Sequence, residues 1–199
     1  MKKVILLALT IICASGLSAQ DVYINEVDYD QPGTDNAEFI ELVGLGGTSL
    51  DGYEIILVNG ANGAEYNSIT LDGFFIPDDD INGFGFFVIG PLTGVANVDY
   101  TPTNWDTDEI QNGGSDGILL KLNGLVVDGI SYEGVISNNS DFTSGMAISA
   151  TENNSEPNLS LGRILLGFDD SNQDQFFSAS AASPSPGLVN TSHGQTVKS

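Results

Sequence analysis

The stretch VYINEVDYDQPGTDNAEFIELVG, Val22 to Gly44, decides the fold. Two β-prone runs, Val22–Tyr29 and Ala37–Val43, flank a polar turn holding Pro32, Gly33 and Asn36. Apolar residues and carboxylates alternate in both runs, which is the period of a strand with two unlike faces. The pattern predicts an antiparallel pair that opens a sheet. Outward from it, no segment sustains the i, i+3, i+4, i+7 apolar spacing of an amphipathic helix. Short β-branched and aromatic runs recur instead, separated by Gly, Asn and Asp: Tyr53–Asn59, Tyr66–Phe75, Phe84–Gly90, Asp116–Leu122, Leu125–Tyr132 and a short run in Ser160–Leu166. The apolar centre Ile55–Val58 predicts burial on both faces. Asp72-Gly73 marks a bulge or turn, Pro77 closes the strand before it, and Gly85 suggests close approach of another segment. Asn123-Gly124 between two apolar runs is the strongest hairpin signal, because a two-residue turn of this kind needs positive φ at both positions. Pro91–Gly114 reads as a long irregular loop, Ser137–Glu156 as a polar surface excursion, and Thr191–Ser199 as a flexible tail. Short strands joined by glycine-rich turns predict an all-β, antiparallel β-sandwich.

The first nineteen residues have the layout of a secretory leader: Lys2 and Lys3, an apolar run from Val4 to Ala14, and small residues before a cut after Ala19. The expectation is one domain over residues 20–190, exported to the cell surface or beyond. No insertion into the membrane is expected once the leader is removed. The single cysteine, Cys13, lies in the leader, so the exported chain has no disulfide and no thiol chemistry. Charge is the dominant compositional fact, with 27 Asp and Glu and a formal net charge of −22. Outside the leader the cations are Lys121, Arg163 and Lys198 alone. Such a surface repels nucleic-acid backbones and anionic membranes and favours solubility.

Several segments together resemble the lamin-tail domain, an immunoglobulin-like β-sandwich found in exported bacterial proteins as well as in nuclear lamins. They are Ile24-Asn25-Glu26-Val27, Glu38-Phe39-Ile40-Glu41-Leu42, Leu50-Asp51-Gly52-Tyr53-Glu54-Ile55, Phe84–Gly90, Gly114–Leu122 and Val126–Tyr132. Ser160-Leu161-Gly162-Arg163 and Pro184-Ser185-Pro186-Gly187-Leu188-Val189-Asn190 resemble the closing region of bacterial members. The resemblance spans Val22 to Asn190 and implies a non-catalytic module, one that accompanies enzymes or surface anchors. The coiled-coil rod and basic surround of lamins are absent, so filament and chromatin roles do not carry over.

Carboxylates are the remaining candidates for chemistry. Oxygen-rich clusters suit a hard cation such as Ca²⁺, which is the one candidate ion here. The first is Asp28, Asp30 and Asp35 with Asn36. The second is Asp78, Asp79 and Asp80 with Asn82. The third, densest in oxygen, is Asp169, Asp170, Asn172 and Asp174. Turn chemistry is the competing explanation for each, since Asp and Asn bond local backbone. Ideal alternation places Glu26 on an apolar face unless a bulge re-aims it, and places Glu38 beside Ile40 and Leu42. Glu26, Glu38 and Glu41 thus raise a carboxylate-pair hydrolase against a structural role. His193, the only histidine, falls in the expected tail and is a poor triad member. Trp105 is either core packing or an exposed anchor for a protein or glycan partner outside the cytoplasm.

Overall fold

A computed structural model describes residues 22–78, 83–103, 105, 109–154 and 157–196. The opening stretch forms β1 (Val22–Asp28) and β2 (Phe39–Leu45), paired antiparallel from Val22 opposite Gly44 to Asp28 opposite Phe39. The strands that follow are β3 (Tyr53–Asn59), β4 (Ala64–Thr70), β5 (Phe84–Ile89), β6 (Asp116–Leu122), β7 (Leu125–Tyr132) and β8 (Leu161–Gly162). They make two four-stranded antiparallel sheets, in the orders β5-β2-β1-β8 and β4-β3-β6-β7. The chain is all-β, as its turn-punctuated apolar runs predict.

The core lies between the sheets. Ile24, Ile40, Leu42, Phe87 and Ile89 of the first sheet face Ile55, Leu57, Ile118, Leu120 and Ile130 of the second. Alternation sends the intervening residues outward, yet β2 and β3 are buried almost throughout. The reason is a cover on each outer face. Ile56, Val58 and Leu119 pack under Ile136, Phe142 and Met146. The span 137–156 is therefore not a purely polar excursion: Phe142, Met146, Ile148 and Ala150 are buried. The two-sided burial expected of Ile55–Val58 depends on this cover.

The outer face of the first sheet is covered by the chain's end. Ser160 and Arg163 bridge to Ala182 and Phe177, and residues 183–195 then run back over Asn25, Glu26 and Glu41. The segment expected to be a flexible tail from Thr191 is packed as far as it is described. It forms a short 3-10 turn at Thr191–His193, and His193 and Gln195 are both buried.

Local backbone demands explain the turns. At the β6–β7 hairpin Asn123 and Gly124 have φ of 51° and 80°, the left-handed pair that the Asn-Gly dipeptide predicts. Gly85 behaves as expected for a different reason: a Cβ there would overlap the carbonyl oxygen of Pro77. Gly60 is pressed in the same way against the carbonyl of Ser115. At Gly124 a methyl group meets nothing. Gly124→Ala should therefore cost only about 1 kcal/mol of backbone strain. Gly60→Ala or Gly85→Ala must push rigid backbone apart and should lose several-fold more, about 3 kcal/mol or beyond. Urea unfolding midpoints for the three variants check the order.

Candidate functional site: buried carboxylates and an acidic sandwich end

The β1 strand carries most of the acids that the sequence nominates. A register shift between Ile24 and Glu26 marks a bulge in the β1–β2 pairing. The extra residue turns Glu26 away from the core and onto the outer face, as a bulge does. There Glu26 Oε1 accepts bonds from the Ser160 hydroxyl (2.5 Å) and the Ser185 amide (2.9 Å), and Oε2 accepts from the Ser185 hydroxyl (3.1 Å). Glu41, its partner across the pair, accepts from Asn25 Nδ2 (2.6 Å) and the Gly187 amide (2.5 Å). Both carboxyls are pushed up, chiefly by burial, and the neighbouring Glu26 raises Glu41 further.

His193 completes this seam. Its Nε2 lies 3.0 Å from the Ser160 carbonyl oxygen, which can only accept, and 3.3 Å from the Ser160 hydroxyl. Glu26, Ser160 and His193 thus meet, but not as a nucleophile and base. The Ser160 hydroxyl gives its proton to Glu26, and all three groups are buried. A triad needs the base to accept from the serine and needs open space for an acyl group. The seam instead fastens the last residues to the sheet, with Asn190 Nδ2 on the Asn25 carbonyl and Gln195 Nε2 on the Asn25 side chain.

Glu38 shares the core side with Ile40, as alternation predicts, and its Oε2 accepts from the Ile110 amide at 3.0 Å. It pins the far end of the long loop. Trp105 in that loop is half-buried and packs against the main core, its amide on the Pro102 carbonyl.

Between the two sheets sits an ion pair that the sequence did not reveal. Arg163 Nη2 meets Asp128 Oδ2 at 2.8 Å, and both are fully buried. Arg163 also donates to the carbonyls of Ile24 and Gly167, and its guanidinium lies against the rings of Phe177 (4.8 Å), Tyr23 and Phe176. Asp128 accepts in addition from the amides of Ile24 and Gly129 and from Gln173 Nε2. Burial pushes the Asp128 carboxyl up and the guanidinium down, and their short contact opposes both.

The cluster Asp28, Asp30 and Asp35 is brought together at one end of the sandwich. Asn112 Nδ2 bridges Asp30 (3.4 Å) and Asp35 (3.0 Å). Gln31 donates to Asp28 Oδ1 (2.6 Å) while its own carbonyl oxygen accepts from the Ala37 amide. Asn158 Nδ2 donates to Asp28 Oδ2 at 2.8 Å. Glu152 joins from far along the chain: its Oε2 accepts from the Tyr29 and Asp30 amides, and its own amide bonds the Tyr29 hydroxyl. Tyr29 is stacked on Tyr132 with centroids 4.1 Å apart. Sequence reasoning missed Glu152, Asn112 and Asn158, which lie in polar loops that carry no local signal. Burial, with Glu26 and Asp35 nearby, raises Asp28 to about 7 despite its two amide donors. Glu152 is raised well above the usual carboxylate range by burial and by Asp28. A polar cleft of about 480 Å³ opens beside this end, lined by Asn59, Gln111, Asn112, Gly113 and Asp116 among others.

The third cluster does not converge. Asp169 folds onto its own turn, accepting from the Ser171 amide and hydroxyl and from Gln175, which holds its carboxyl below the usual range. Asp174 accepts instead from the Ser149 amide, and the Asn172 amide bonds the Asp169 carbonyl. The carbonyl of Asp170 accepts from the Thr143 hydroxyl. In the second cluster Asp78 is exposed, and Asp79, Asp80 and Asn82 lie outside the described residues. Among the described residues no three carboxylate, histidine or cysteine side chains stand together in a way that would hold a metal ion.

No protein-family model, curated protein or solved structure matches the chain.

The buried acids make stability depend on pH. Asp28 is raised in the folded chain above its unfolded value of 3.8. The folded state therefore holds a proton that the unfolded state has released, and stability falls as pH rises from about 4 to about 7. Unfolding free energies across that window should drop by an amount on the order of 2–4 kcal/mol, and Asp28→Asn should flatten the slope. Asn158 can rotate its amide to accept from the amide that this substitution introduces, so the variant should fold. Arg163→Met strands Asp128 and should cost about 3–5 kcal/mol by the same measurement.

Proposed function

We propose that the chain is an exported, non-catalytic β-sandwich module of the lamin-tail, immunoglobulin-like kind, with a binding or structural role at or outside the cell surface. The observation that carries this reading is the engagement of its carboxylates. Glu26, Glu38, Glu41, Asp128 and Glu152 each accept a backbone amide from a distant segment. They fasten loops and strands, which is the work expected of acids in a scaffold. The segments that carry the resemblance also fall, in order, on β1, β2, the entry to β3, β5, β6, β7 and β8. The leader-like residues 1–19 support export.

A calcium-dependent adhesion or carbohydrate-binding role is the second reading. Glu152 Oε1 and Asn158 Oδ1, on two residues at the acidic end, are buried without a hydrogen-bond partner, and such oxygens suit a hard cation. The lack of a three-ligand grouping among the described residues weighs against it.

The exported protein, immobilised and exposed to envelope and extracellular material, should retain a protein or glycan partner and show no turnover of glycoside or ester substrates. Clear hydrolysis that Glu26→Gln or Glu41→Gln abolishes, with folding intact, would reverse the assignment. A melting temperature that rises in millimolar Ca²⁺, and not in Asp28→Asn, would favour the second reading.

A further inference from the structure

Among the described residues the outer face of the first sheet is not wholly covered. At the edge of the C-terminal segment, Val43 of β2 and Phe86 of β5, each 2 % exposed, and half-buried Phe84 of β5 floor a groove of about 270 Å³. Its far wall is Ile164, Leu165 and Leu166, and Gln195 and Thr196 close one side. Leu45, which pairs with Phe84 on the same face, is 50 % exposed, and Leu165 is 48 % exposed. Phe86 also lines a second depression of about 670 Å³, with Leu188, 60 % exposed, on its rim. Leucine and phenylalanine gathered in this way on one face mark a contact surface rather than scattered exposure.

The charge around the groove says what fits it. Asp78 stands against Gly46, next to Leu45. Asp99 lines the second depression. No described cation is available nearby: Arg163 is buried on Asp128, and Lys121 is held by Glu65 and Asp141 on the other sheet. The whole chain carries a net charge of −22. A second copy would bring the same negative field, and like fields repel. We infer that the groove receives a segment of a partner protein that carries apolar side chains alternating with lysine or arginine. Its apolar groups would pack on Phe84, Leu165 and Leu166, and its cations would face Asp78 and Asp99.

This rests on the binding-module reading and names the surface and the partner's chemistry. Fluorescence anisotropy with a labelled peptide of alternating leucine and lysine tests it, beside leucine–glutamate and serine–lysine peptides. The leucine–lysine peptide should bind, and raising salt from about 0.05 to about 0.5 M should weaken it as surface attraction is screened. The double variant Leu165→Ser/Leu166→Ser should weaken binding about tenfold or more, since both leucines are solvent-facing walls and their loss is about two side chains of apolar contact. Leu125→Ser, an exposed leucine on the opposite sheet's hairpin, should change nothing, and melting temperatures should confirm that both variants fold. Equal binding of the serine–lysine peptide would show bare charge attraction and overturn the proposal. So would unchanged binding by the double variant, or a dimer in sedimentation that the double variant dissolves. A double variant that still retains the envelope partner would sink the groove while leaving the module reading intact.

Discussion

The buried carboxylate that accepts a backbone amide from a distant segment is the bond on which this structure depends. A β-sandwich with long connections leaves many amides outside any ladder, and each buried one must find an acceptor. A helical protein would satisfy them internally. Here side-chain oxygens do it, and each such bond contributes about 0.5–1.5 kcal/mol. Glu41 holds Gly187, Glu26 holds Ser185, Glu38 holds Ile110, and Glu152 holds two successive amides of β1's exit. The acidic composition is thus partly architectural. What looks like a solvated coat in the sequence includes acids lying at the least exposed positions of the fold.

This arrangement also explains where the sequence is legible. Strands are readable because alternation and turn chemistry are local: β1 to β3 and β5 to β7 fall close to the apolar runs, and the Asn123-Gly124 turn has the dihedrals its residues demand. The β1 bulge is foreseeable as a conflict, because Glu26 on an apolar face could not stand unaided. Its resolution is not, because the donors that settle the conflict, Ser160 and Ser185, lie more than a hundred residues away. The same holds for Arg163. A lone arginine in SLGRILL gives no sign that Asp128, aromatic rings and two carbonyls will surround it. The acidic end is half legible. Asp28, Asp30 and Asp35 are visible as a cluster, while Asn112, Glu152 and Asn158 arrive only through the fold.

Coverage of the two outer faces gives the molecule its asymmetry. On the second sheet an apolar patch from 136 to 146 seals β3 and β6 with side chains. On the first sheet the closing segment is polar and attaches through amides and carboxylates, so it lies over the acid-bearing part of β1 and β2 and borders the groove at Phe84 and Phe86. One cover is held by the hydrophobic effect and the other by hydrogen bonds.

The confinement of the cations has a consequence for proteolysis. Enzymes that cut after lysine or arginine must draw that side chain into a pocket and straighten the backbone around it. Among the described residues only Lys121 and Arg163 qualify, and one is clamped between two carboxylates on a central strand while the other is sealed in the interior. The folded body, as far as it is described, therefore presents no digestible bond to trypsin-like proteases, and resistance to them comes from where two side chains are placed rather than from any disulfide.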